Sequence, residues 1–350
     1  MKTNINYFKD LESFISQINN LNTEYLLLVA TNTLIEIEKI NTLNITGAIF
    51  PEIIYENKLY DSGLIAIEIK NNMKVHFYDD ISKTYDFYKT FNSTKSIITL
   101  LDGISIYNES FLQNLFCNVN INTNIIGGGA GTINGKNKKV IFNNKGFYNN
   151  SAILLSLETS INIGVKHGWE YLTGPFVVTS SEKNILKQLD YKSAFNTYKN
   201  IIEKDCGIVL TKNNFQEISQ NYPIGIVKYM GEQIVRDPIS YENGNLVLVG
   251  EISNNSIINI LKGDKQKLLD SAKEATTQAL KEDCESIIIF ECISRKEFLK
   301  DKFDEELNNI FSLLHNQKGI GAVTIGEVAN SGNRYINFFN KTCVVGGICF

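Results

Sequence analysis

The sequence predicts a mixed α/β (α+β) fold: largely antiparallel sheets with helices packed on them, arranged as two tightly packed halves. Three observations lead there. Apolar runs of strand length alternate with helix-patterned segments, and the order strand, helix, strand, hairpin recurs. No Pro/Ser-rich linker or long charge run interrupts the 350 residues, which contain only four prolines. With 43% hydrophobic and 21% charged residues, the composition is that of a globular chain able to bury a sizeable core.

The first unit opens with the apolar run 25–30, expected as a strand. A helix over 33–39 and a strand over 45–50 follow. Strands over 53–59 and 64–69 come next, joined by Tyr60-Asp61-Ser62-Gly63. The second unit repeats this order: strand 96–101, helix 108–116, the glycine-rich 125–133, then strands 139–142 and 151–157. The third unit starts at strand 286–291. Its long helix, 295–315, carries Phe298, Leu299, Phe303, Leu307, Ile310, Phe311 and Leu314 at helical spacing. Segments 319–328, 335–339 and 342–348 complete it. Between the second and third units lies a different stretch. It holds the only tryptophan, Trp169, a helix over 193–203 continuing from 181–189, and strands 224–227 and 245–250. Asn243-Gly244 precedes the second of these strands as a hairpin turn. A helix over 264–281 follows. The reading divides the chain into domains 20–190 and 191–350.

Charge excludes some functions. The formal net charge is −4 and the pI is near 5.6, so no basic footprint exists for a nucleic acid or an anionic membrane. Met1 to Asp10 carries no apolar signal core, and no apolar run reaches the roughly 20 residues of a membrane span. A cytoplasmic protein is expected. The six cysteines form no CxxC pair and the three histidines are scattered, so neither a metal site nor a cofactor is expected.

Four motifs could carry chemistry. Gly127 to Gly131 (Gly-Gly-Gly-Ala-Gly) follows a strand, but Asn134-Gly135 and another strand come after it instead of the helix a dinucleotide loop requires. Gly128 and Gly129 therefore either line a ligand cleft or mark a turn or bulge where backbones approach closely. Cys292-Ile293-Ser294-Arg295 spans a strand end and a helix start. Ser294 is the expected N-cap, the helix amides would lower the Cys292 pKa, and Arg295 suits a carboxylate. The competing reading is a buried cysteine beside a surface arginine. Gly319 to Glu327 is a strand broken by glycines, with Thr324, Gly326 and Glu327 as polar or close-approach positions; Glu327 could take an amino group or face solvent. Arg236 could reach a ligand anion or pair with Asp237.

These segments together resemble the FIST family (F-box and intracellular signal transduction proteins). Gly128-Gly129-Ala130-Gly131, then Gly164 to Gly168-Trp169, is similar to the family's N-terminal region. Tyr222-Pro223-Ile224, Ile234-Val235-Arg236, the Phe290 to Arg295 segment, Gly319 to Glu327 and Asn340-Lys341-Thr342 are similar to its C-terminal region. The resemblance runs from about residue 20 to 350. It implies a stand-alone sensory module for small metabolites such as amino acids, without catalysis. One segment departs from the pattern: Gly47-Ala48-Ile49-Phe50-Pro51-Glu52 lacks the family's hydroxyl or thiol and its second glycine.

The expected function is thus a sensor of an amino acid or similar small carboxylate, bound by Arg236, Cys292, Ser294, Arg295, Thr324, Gly326, Glu327, Gly128 and Gly129. Arg236 and Arg295 would hold the carboxylate and Glu327 the amine. A downstream signalling protein and a homodimer partner are admitted by this reading; nucleic acid and membrane are not. The alternatives are an amide or thioester hydrolase with Cys292 as nucleophile, and a protein-interaction scaffold.

Overall fold

The computed structural model describes residues 4–132, 139–228, 232–280, 284–330 and 335–349; the expected turn Asn134-Gly135 lies outside them. Each of the three units places two parallel strands side by side, joined by a helical crossover. These pairs are Glu24–Ala30 with Asn44–Phe50, Ser96–Asp102 with Asn124–Ala130, and Cys284–Cys292 with Lys318–Thr324. All six strands are almost wholly buried, which explains why they read as continuous apolar or glycine runs. The last strand of each unit returns antiparallel beside the first: Leu64–Glu68, Ala152–Leu157 and Cys343–Cys349.

The hairpin between them does not stay with its own unit. The first unit's hairpin, Glu52–Tyr55 with Lys58–Tyr60, pairs onto Lys318–Thr324 of the third. The second unit's, Ile141–Asn143 with Gly146–Tyr148, pairs onto Asn44–Phe50 of the first. The third unit's, Glu327–Ala329 with Asn337–Phe339, pairs onto Asn124–Ala130 of the second. A preceding strand closes each outer edge: Ile5–Phe8, Met73–Tyr78 and Ile161–Lys166. The result is three equivalent six-stranded sheets interlocked in a cycle.

Inside the third unit, between Ile161–Lys166 and helix Lys265–Ala279, a fourth sheet is inserted. Apart from the two-residue edge strand Lys192–Ser193, its strands run in the order Glu170–Glu182, Ile257–Lys262, Ile224–Ile226, Ile234–Glu242, Asn245–Val249 and Ile185–Leu189. The last pairs back onto the first, so the sheet closes into a barrel. Helices Ala194–Cys206 and Phe215–Ser219 pack on it, burying Phe195, Tyr198, Ile202 and Phe215 in the shared core.

Several expectations change. The hairpin of the first unit turns at Glu56-Asn57, inside the expected strand 53–59, with Glu56 at φ 51°. The helix expected over 33–39 is a single turn, Ile37–Ile40. Residues 181–189 are the end of one strand, a turn at Lys183-Asn184 and strand Ile185–Leu189, whose Leu186 and Leu189 pack in the core; the helix begins after its cap, Ser193. The long third-unit helix breaks at Lys300 (φ 54°) into Ile293–Leu299, a 3₁₀ turn and Phe303–Phe311. The Asn243-Gly244 turn forms as expected, with φ 50° and 79°.

Candidate functional site

A cleft of about 490 Å³ lies where three bodies meet: the barrel, helix Asn108–Asn118 of the second unit and hairpin strand Asn337–Phe339 of the third. That volume suits a small molecule. Arg236 forms its floor. The side chain is 3% exposed, and its three nitrogens are shared among the three bodies. Nη2 donates to Glu109 Oε1 at 2.8 Å, Nη1 to Phe338 O at 2.9 Å and Nε to Glu251 O at 2.8 Å. Glu109 sits in the first helical turn, where the helix dipole favours a carboxylate, and it also accepts from the Glu251 amide at 3.1 Å. Gly250, at φ 86°, leaves room for the guanidinium: a Cβ there would lie 2.9 Å from Arg236 Nε.

Around this committed arginine stand uncommitted charges. Among the described residues, Lys183, Lys228 and the Glu251 carboxylate line the cleft without an ion pair. Desolvation, then the nearby Arg236, pushes the Lys228 pKa down. Desolvation, then Glu109, pushes Glu251 up. Ile226, Ile234, Phe116 and Phe338 supply apolar wall.

On the face of the third unit's hairpin opposite the Phe338 ring lies a second, sealed group of polar side chains. Cys292 and Thr324 end the third unit's parallel pair and are directly paired. Glu327 opens the hairpin just beyond them. Thr324 Oγ1 donates to Glu327 Oε1 at 2.8 Å, and the Thr342 amide to Oε2 at 3.3 Å; the Cys292 thiol is a further donor to this carboxylate. All four residues are buried. Burial pushes Glu327 up to about 8 against these hydrogen bonds. Burial, then Glu327, pushes the Cys292 thiol well above its ordinary range. Gly128 and Gly129 border the group. A Cβ on Gly128 would lie 2.5 Å from Thr324 Cγ2, and the Gly129 amide donates to Gly326 O at 2.8 Å.

The structure thus brings Cys292, Thr324, Gly326, Glu327, Gly128 and Gly129 together, with Ser294 hydrogen-bonded to Asp237, the neighbour of Arg236. Arg295 is placed apart from them. It is fully buried, bound through Nε and Nη2 to Glu306 (2.6 Å at the closest), and donates to His167 O, Leu268 O and Ser271 Oγ. Glu291 Oε2 lies 3.5 Å away. Arg295 is therefore a core ion-pair residue and does not line the cleft; the expected pairing of Arg236 and Arg295 on one carboxylate is not what the fold builds. Ser294 is not the N-cap: the helix starts at Ile293, capped in sequence by Cys292 without a side-chain bond. The lowering of the Cys292 pKa expected from the helix amides is not found: the thiol is buried and its pKa is pushed up instead. Sequence reading missed Glu109, Lys183, Lys228, Glu251 and Phe338. Glu109, Lys183, Lys228 and Glu251 lie in loops or at a helix end and Phe338 in a three-residue strand, all without a motif, and only the fold gathers them.

Fold and site define the class: an α+β protein of interlocked units with a polar cleft against an inserted barrel. Among the described residues, no helix is long and apolar enough to cross a membrane, and no group of His, Cys, Asp and Glu is arranged to hold a metal ion. The FIST N domain model matches residues 37–192 and the FIST C domain model residues 194–330, so the chain belongs to the FIST family, whose domains are associated with sensory roles in signal transduction. The two matches meet within the barrel, between strands of the same closed sheet. A comparison with curated proteins found no match.

Proposed function

We propose that this chain is a cytoplasmic sensory protein that binds a small amino acid or related carboxylate metabolite in the cleft over Arg236. The observation that carries the reading is the set of charges of both signs, Lys183, Lys228 and Glu251, that have no ion pair among the described residues and share one cleft with apolar wall. A ligand carboxylate is suited to the two ammonium groups and a ligand ammonium to Glu251 and Glu109. Arg236 acts as the rigid base, since its donors are already committed to protein oxygens. Because the ligand would touch both the barrel and the second-unit helix, binding would tie the two bodies together. That coupling is what a downstream signalling partner could read.

A thermal-shift screen with amino acids, their decarboxylated amines and their deaminated acids tests this. A ligand at a hundredfold excess over Kd stabilises by about 2.7 kcal/mol, a readily measured shift. Zwitterions should shift the transition, and Lys228→Ala should abolish the shift without lowering the ligand-free midpoint. If no carboxylate-bearing compound shifts the protein, or Lys183→Ala and Lys228→Ala leave the shift intact, the cleft is not the site.

A further inference from the structure

The cleft over Arg236 has two unlike walls. The barrel wall carries Lys183, Lys228 and Glu251 on its loops and Arg236 on strand Ile234–Glu242. The wall facing it belongs to helix Asn108–Asn118 and to the third unit's hairpin segment. Leu112, Phe116, Tyr335, Ile336 and Phe338 make most of it apolar. Helical spacing builds this second wall. Glu109, Leu112, Gln113 and Phe116 follow one another at three, four and seven residues and so share one stripe of the helix. Glu109, at the head of the stripe, is held by Arg236 at 2.8 Å. Phe116 stands two turns further on, roughly 10 Å along the helix axis.

The far end of this wall is aromatic and open. The Phe116 and Tyr335 rings lie with centroids 5.1 Å apart and planes at 32°. Phe116 is half-buried, but Tyr335 is 64% exposed, and Ile106, just before the helix, is 68% exposed on the same cleft. The core gains little from side chains this exposed. Grouped on the lip of one cleft, they mark a surface that a bound molecule covers.

We infer that the ligand is an amino acid with an aromatic side chain, held with its charged head on the barrel wall and its ring against Phe116 and Tyr335. This rests on the cleft being the ligand site. The head fixes one end: the carboxylate lies with Lys183 and Lys228, the ammonium with Glu251 and Glu109. From there a side chain must cross about two turns of helix to reach Phe116. A methyl group stops short and leaves the ring pair wet. A branched aliphatic chain covers part of the wall. A ring covers the wall and adds ring-on-ring contact at its far end. Phe116 therefore sets which side chain is accepted, and Lys228 serves the head that every amino acid shares.

Calorimetric titration of the full chain with L-phenylalanine, L-leucine and L-alanine separates the two walls. Phenylalanine should bind at least about tenfold more tightly than alanine, from the apolar area it buries, and several-fold more tightly than leucine. Phe116→Ala should weaken phenylalanine and change alanine little, so that their ratio falls towards one. Phe116→Leu, which keeps the position filled, should remove the preference over leucine and serves if the alanine variant fails to fold. Lys228→Ala should weaken all three ligands alike and preserve their ratios. Alanine or leucine binding as tightly as phenylalanine overturns the aromatic assignment. So does a folded Phe116 variant that keeps the full preference, or a chain that binds other amino acids and not phenylalanine. In each of these cases a Lys228-dependent ligand leaves the cleft reading standing. If no carboxylate-bearing compound binds at all, the cleft reading fails and the aromatic assignment falls with it.

Discussion

The first and third units share a backbone plan but fill its centre in opposite ways. Where the first unit closes its strand ends with Ala30, Phe50 and Gly63, the third buries a thiol, two hydroxyls and a carboxylate at the same register. Nearby it also buries Arg295 between Glu306 and Glu291. The first unit shows that the interlocked sheets stand without polar groups at this point. Polar burial in the third unit must then be sorted into what holds the helices and what the fold could do without. Substitutions at Arg295 and Glu327 perform that sorting.

The largest effect is expected at Arg295. Its guanidinium joins helix Ile293–Leu299 to Phe303–Phe311 through Glu306, to helix Lys265–Ala279 through Leu268 O and Ser271, and to His167 O. Burial, then the adjacent Glu306, pushes the Glu291 pKa up, and Glu306 makes the closer contact with the guanidinium, 2.6 Å against 3.5 Å. Arg295→Met leaves Glu306 buried without its cation. Breaking a buried pair in this way costs about 3–5 kcal/mol, to be read as a fall in the denaturant midpoint. Arg295→Met combined with Glu306→Leu should recover part of the loss. A single variant as stable as the wild type would place Arg295 among the groups the fold could do without.

A smaller effect is expected inside the second unit. Gly127 lies in the second unit's parallel pair, against Thr99, and a Cβ there would come within 1.9 Å of Thr99 O. Gly127→Ala must push the two strands apart and should cost about 1–3 kcal/mol, read from the thermal midpoint. Gly146→Ala, where a Cβ would meet nothing within 4 Å, is the matched control and should change little. Equal losses at both positions would mean that glycine content, not close approach, shapes these strands.

Much of this organisation is legible in the sequence, and the reason it stops is physical. Runs such as 25–30, 96–101 and 286–291 announce buried strands because both faces are covered, and the recurring order reveals the units. The exchange of hairpins is not legible, since a backbone edge carries no label of its partner. The turn at Glu56-Asn57 and the helix break at Lys300 use positive φ at residues that give no turn signal. In the candidate site, Cys292, Thr324 and Glu327 could be singled out because strand ends and glycine breaks mark them. The commitment of Arg295 to Glu306 could not, because a 3₁₀ turn lies between the two residues and sets their facing sides. Lys228 and Glu251 leave no trace, as they meet only after the barrel closes.

The finest test concerns Glu327, which has the same complete burial as Arg295 but, among the described residues, only neutral donors as hydrogen-bond partners. Its folded pKa, pushed up to about 8 mainly by burial, lies above the ordinary carboxyl value near 4.5. The folded state therefore holds a proton that the unfolded chain gives up. The stabilising contribution is fully present below about pH 4.5 and is lost as the pH rises through about 8. Within that window the group lowers stability by at most about 1.4 kcal/mol per pH unit. Glu327→Gln keeps the shape and removes the titration, so the wild type minus Glu327→Gln difference in unfolding free energy should fall from pH 5 to pH 8 and then level off. At pH 5 the two proteins should be nearly equal, in contrast to the large cost of Arg295→Met. A difference that stays flat with pH would mean that Glu327 is already ionised in the fold with a cation beside it. The third unit's strand ends would then be held by an ion pair, as its helices are, and the contrast with the first unit would be one of stabilising charge.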